Sequence, residues 1–90
     1  PVKIVFTRQE SLRVHPKRHA FYMHYKSGAS KDGKLTAVKA EITSDAGAYA
    51  SWSPVVMKVL AGFACGPYEV PNVELTLRAV YTNNVTAGAW

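Results

Sequence analysis

Phe21-Tyr22-Met23-His24-Tyr25-Lys26-Ser27-Gly28-Ala29, then Ser30-Lys31-Asp32-Gly33-Lys34, then Leu35-Thr36-Ala37-Val38-Lys39-Ala40-Glu41-Ile42-Thr43 is the stretch that decides the fold. In the first run Phe21, Met23 and Tyr25 share one face of an extended chain, and Tyr22, His24 and Lys26 share the other. Asp32-Gly33 tolerates the positive backbone angles of a tight reversal, and the third run returns as a second strand. The stretch predicts a β-hairpin.

Toward the C-terminus, Ser44-Asp45-Ala46-Gly47-Ala48-Tyr49-Ala50 is rich in small residues and reads as a tight connection. Ser53-Pro54 predicts a helix start, with serine as N-cap and proline at the first helical position. Val55, Val56, Val59, Leu60 and Phe63 form its apolar stripe, and Gly66-Pro67 ends it. Val73, Leu75, Leu77, Ala79 and Tyr81 then alternate with Glu74, Thr76, Arg78 and Val80 as a long, half-buried strand. Toward the N-terminus, His15-Pro16-Lys17-Arg18-His19 reads as a loop, because proline interrupts a helix and restricts the residue before it. Thr7 and Glu10 have capping-box spacing around a short helical turn. Val2, Ile4 and Phe6 alternate with Lys3, Val5 and Thr7 as a first strand. The order is strand, helical turn, hairpin, helix, strand. It predicts an α+β unit over residues 1–90, with a mostly antiparallel sheet and helix on one face.

Both ends are abrupt. The chain opens directly on strand-like sequence and closes on Thr86-Ala87-Gly88-Ala89-Trp90, whose last side chain needs an apolar pocket. The expectation is a segment of something larger. Ninety residues make one domain at most, and 48% hydrophobic content excludes disorder. No apolar run approaches the roughly 18 residues of a membrane span. Cys65 is the single cysteine, so a disulfide framework, a structural zinc site or an iron–sulfur cluster held within this chain is excluded, and a reducing cytoplasm is the easier setting. Asn84-Val85-Thr86 fits a glycosylation triplet with nothing else to suggest secretion. The net charge of +5 gathers at Arg8, Arg13, Lys17 and Arg18, and again at Lys26, Lys31 and Lys34. Such a surface attracts phosphates or meets acidic surface elsewhere in a parent protein, and the second is preferred.

Individual residues carry little catalytic signal. His15 and His19 are four apart, but Pro16 between them breaks a helical ligand pair, and His24 sits on a strand. Ser27, Ser51, Ser53 and Cys65 lack a strained nucleophile elbow. Among the carboxylates only Asp45 is placed beside small residues, where a turn-forming role is preferred. The basic loop beside Phe21, Tyr22 and Tyr25 is a weak nucleic-acid signal, because the aromatic rings divide between both strand faces. The small-residue stretches 45–51 and 86–89 let backbone approach either a bulky ligand or another chain segment, with neither preferred.

Taken in order, several motifs resemble the molybdenum hydroxylases, the xanthine dehydrogenase and aldehyde oxidase family. They are Pro1-Val2-Lys3 leading to Thr7-Arg8-Gln9-Glu10, Arg18-His19, Lys31-Asp32-Gly33-Lys34-Leu35 and Asp45-Ala46-Gly47-Ala48-Tyr49. Gly66-Pro67-Tyr68-Glu69-Val70-Pro71-Asn72-Val73, Tyr81-Thr82-Asn83-Asn84 and Gly88-Ala89-Trp90 complete the set. In that family the last motif continues with an arginine and a Gly-aromatic-Gly turn lining the cofactor pocket, and the glutamate base lies far downstream. The resemblance therefore implies an internal piece of a molybdopterin-binding large subunit or domain, inactive alone. The parent would perform oxidative hydroxylation, the molybdenum–molybdopterin cofactor supplying nucleophile and electron sink. Iron–sulfur clusters and flavin would lie in other domains or subunits, which are the implied partners together with the rest of the parent. Gly88, Ala89 and Trp90 are implied near the cofactor, and the region of Ser51, Ser53 and Val59 near the substrate. Val59 stands where xanthine-oxidising members carry a substrate-orienting arginine, which counts against a purine and leaves other heterocycles, aldehydes or carbon monoxide. The alternative reading is a free-standing basic α+β module that binds nucleic acid or a protein partner. Exposed strand edges add an expectation of some self-association.

Overall fold

The computed structural model describes residues 1–89. Helix α1 (Arg8–Val14) starts at the capping box read from the sequence: Glu10 N–H donates to Thr7 Oγ1 at 3.3 Å, and Thr7 N–H donates to the Glu10 carboxylate at 2.8 Å. α1 buries no residue, so local bonds rather than packing hold it. Strand β1 (Lys17–Arg18) is a two-residue element inside the expected loop.

Strands β2 (Phe21–Ala29) and β3 (Leu35–Gly47) form the antiparallel hairpin, with Phe21 opposite Ser44 and Tyr25 opposite Ala40. Ser30 to Lys34 make the turn, where Gly33 has φ 84° and its N–H donates to the Ser30 carbonyl at 2.9 Å. β3 runs four residues beyond the expected return strand. Its alternate residues Val38, Ala40, Ile42, Ser44 and Ala46 are buried, and they form the spine of the core.

Helix α2 (Ser53–Phe63) and strand β4 (Val73–Tyr81) follow. β4 pairs with β3 in parallel, Ile42 beside Leu77 and Ser44 beside Ala79, because α2 and the segment after it carry the chain back to the start of β3. The sheet is therefore one antiparallel and one parallel pair, in the order β2–β3–β4. α2 packs on β4 over the apolar face, and Tyr25 Oη reaches across to donate to the Ala64 carbonyl at 3.3 Å. The opposite face carries His24, Lys26, Lys39, Glu41 and Glu74, with a 2.8 Å ion pair between Lys39 and Glu74. Strand β5 (Ala87–Gly88) pairs in parallel with β1, Arg18 beside Gly88.

The N-terminal segment differs from expectation. Residues 1–6 form no strand, and Val2 and Ile4 are 92% and 73% exposed. Alternation supplies an apolar face, but a strand also needs a neighbouring backbone to bond, and the sheet offers none here. The radius of gyration of 17.2 Å exceeds the roughly 12 Å of a compact chain this long. Much apolar surface, including Phe63 and Tyr81, consequently stays in water.

Candidate functional site

Two tight turns bring the end of the chain back onto its middle. At the end of β3, Gly47 has φ 73°, and the backbone of Val85 and Thr86 lies directly against its Cα. A Cβ there would fall 2.3 Å from the Val85 carbonyl oxygen, so only glycine admits the contact. Thr82 N–H donates to the Gly47 carbonyl, and Ala48 N–H to the Asn84 carbonyl, each at 3.1 Å. The small-residue stretch thus serves another chain segment at this point.

Asp45 supplies the polar half of the junction. Its carboxylate accepts from Thr82 Oγ1 at 2.6 Å, Asn84 Nδ2 at 2.5 Å and Gly47 N–H at 2.8 Å. These donors, Thr82 first, hold its carboxyl below the ordinary aspartate range, with a minor contribution from the nearby His19. Asp45 closes a turn, as the sequence suggests, but it also ties in a loop far along the chain. That loop delivers Ala87 and Gly88, both buried, to β1, where Lys17 N–H donates to the Thr86 carbonyl at 3.3 Å.

Between the β1–β5 pair and α2 lies a cavity of about 610 Å³. One wall is Arg18, His19, Gly88 and Ala89; the other is Trp52, Val55, Val56 and Val59, with Phe21 between them. The fold therefore brings Gly88, Ala89 and Val59 to one space. Ser53 lines a smaller neighbouring cavity of about 280 Å³ with Met57, Leu77 and Ala79. Ser51 lines neither; it is exposed at φ 41°, a left-handed conformation rare for serine, in the turn that Ser53 N–H closes on the Ala50 carbonyl. Trp90 lies outside the described residues.

Ser53 departs from its expected role. Trp52 is the N-cap of α2 and makes no side-chain capping bond, which leaves Ser53 inside the first turn with its hydroxyl 2.8 Å from Nε2 of His19. The other histidines stand apart: His15 Nδ1 is 2.9 Å from the Pro16 carbonyl, and His24 lies in the polar groove on the far face of the sheet. Among the described residues no three His, Cys, Asp or Glu side chains converge on one point.

The sequence profile of the molybdopterin cofactor-binding domain matches residues 1–90. This chain belongs to that family. Over its whole length it is 50% identical to the nicotinate dehydrogenase large molybdopterin subunit of Eubacterium barkeri, covering 21% of that protein. Over 98% of its length it is 43% identical to a probable xanthine dehydrogenase subunit of Bacillus subtilis strain 168, covering 12% of it. It is also 33% identical over 98% of its length to the carbon monoxide dehydrogenase large chain of Afipia carboxidovorans, covering 11%. The domain thus spans about a fifth or less of these relatives.

Part of such a cofactor would find a suitable lining in the larger cavity. A flat pterin needs backbone or small side chains at its faces, and a phosphate needs a cation. Gly88 and Ala89 would answer the first need and Arg18 the second, opposite the valines of α2.

Proposed function

We propose that this chain is a structural portion of the molybdenum-cofactor-binding region of an oxidoreductase that hydroxylates a heterocycle or an aldehyde, and that it is not active alone. One observation carries the reading: Gly88 and Ala89 share a single cavity with Val59. When bound, the molybdenum–molybdopterin cofactor supplies both the nucleophile and the electron sink of such a reaction. The residues of this chain do the holding. Gly88 and Ala89 let the ligand approach the backbone, and the Arg18 guanidinium offers a planar cation to an anionic group. Val55 and Val59 present an aliphatic wall that orients a flat ring and excludes water, and Ser51 and Ser53 set the turn that starts this wall. Val59 offers no hydrogen bond, which favours substrates other than purines.

The partners proposed are the rest of the parent chain and the domains or subunits that carry iron–sulfur clusters and flavin. The elongated shape and the exposed apolar residues of segment 1–6 support a neighbour of that kind. No helix among the described residues is long and apolar enough to cross a membrane. A cytoplasmic setting is proposed from the single free Cys65.

Elemental mass spectrometry of the full-length protein tests the reading: about one molybdenum atom per polypeptide is expected, and none, from a host that loads a control enzyme, overturns it. Gly88→Arg in the same protein fills the cavity beside Ala89 and should abolish cofactor retention. Unchanged molybdenum content would remove Gly88 from the site. With molybdenum present, nicotinate is the first heterocycle to screen, since the relative from Eubacterium barkeri bears its name.

A further inference from the structure

His19 and Ser53 lie far apart in sequence, yet Nε2 of one sits 2.8 Å from Oγ of the other. Ser53 is 2% exposed, so its hydroxyl has left water and needs a partner. It stands in the first turn of an 11-residue helix, where a serine oxygen ordinarily serves the helix's own unbonded N–H groups. Here it faces a side chain from another element instead. His19 is held on its other side by Phe21, the rings stacked 5.8 Å apart at 27°. Both rings line the larger cavity, as does Trp52 beside Ser53. The bond therefore crosses from the segment that continues β1, paired with Gly88, to the helix that bears Val55 and Val59.

We propose that His19 is a positioning residue: through Ser53 it fixes the start of α2 against the β1–β5 pair and so sets the width of the cavity between them. The inference rests on the functional reading above. Without the Ser53 hydroxyl the histidine loses its anchor, and without the ring a buried hydroxyl is left unpaired. In either case the two walls lose their fixed separation, and a ligand held by both loses its fit. Glutamine carries an amide that reaches the same point, so it preserves the tie.

The test is the rate at which the molybdenum-loaded, full-length protein loses molybdenum at a temperature well below its unfolding transition. His19→Ala and Ser53→Ala should each speed the loss about tenfold, and the double variant should be no faster than either single one. His19→Gln should restore a rate within about threefold of the wild type. Unchanged rates, or effects that multiply in the double variant, overturn the inference. So does a lowered unfolding temperature with an unaltered loss rate, which assigns the bond to stability alone. A wild-type protein without molybdenum removes the functional reading and this inference with it; a loaded wild type with unresponsive variants removes only the inference.

Discussion

The two ends of β3 are built from the same residue types and do different things. At its start, Asp32 and Gly33 turn the hairpin; at its end, Asp45 and Gly47 turn the chain toward α2. Both glycines have positive φ, 84° and 73°, and both carboxyls are held below the ordinary aspartate range by hydrogen bonds. A methyl group added at Gly33 would meet no described atom within 4 Å beyond its chain neighbours, whereas one added at Gly47 would run into the backbone of Val85. Asp32 bonds Ser30 and pairs with Lys34 at 3.6 Å, all inside the turn. Asp45 bonds Thr82 and Asn84, which arrive from the other side of β4. The first end is local and complete in itself; the second joins distant segments and fixes the cavity wall.

The largest effect expected from breaking this contrast is at the two glycines. Gly47→Ala in the full-length protein adds backbone overlap to an unfavourable φ and should destabilise by about 4 kcal/mol or more, or prevent folding. Gly33→Ala meets only the φ penalty and should cost about 1 kcal/mol. Thermal unfolding of both variants checks the ratio, and equal losses would refute the steric argument. Asp45→Asn keeps one acceptor for Thr82 but turns an amide toward other donors, and should cost about 1 to 2 kcal/mol with a parallel fall in molybdenum retention.

Acid sharpens the same comparison. Both carboxyls are lowered by folding, so each contributes stability that is full above the unfolded value, about pH 4, and fades as pH drops through the folded value. The acid limb of the stability profile should flatten more in Asp45→Asn than in Asp32→Asn, because only Asp45 holds a partly buried junction. The smallest effect belongs to Asp32→Ala, which removes only bonds within an exposed turn and should lower the unfolding temperature less than any of the other variants while leaving molybdenum content unchanged.

The hairpin is legible in the sequence because a period of two and an Asp-Gly turn are local signals, and β3 and α2 follow from the same kind of reading. Three features are not. β1 and β5 are two residues each, too short for any periodicity, and their pairing depends on Asp45 and Gly47 presenting the loop from Thr82 to Thr86. Val2, Ile4 and Phe6 alternate as a strand should, yet alternation says nothing about whether a partner backbone stands alongside. Ser53-Pro54 carries the composition of a helix cap, and nothing local reveals that His19 claims the hydroxyl. Of the site, Gly88, Ala89 and Val59 come from family resemblance rather than chemistry, since none has a functional group. Asp45 is legible from the residues alone as a turn-forming carboxylate beside small residues, but its tie to Thr82 and Asn84 is not, because those donors come after β4.

The pairing of residue 17 with residue 87 has a kinetic consequence. A hairpin closed by a short turn forms early, while contacts between segments far apart in sequence wait on a larger loss of loop entropy. Pulsed hydrogen exchange during refolding should therefore protect the Tyr25 amide before that of Gly88. Until Gly88 settles beside Arg18 the larger cavity lacks one of its walls, so that cavity is the last feature of the described residues to come into being.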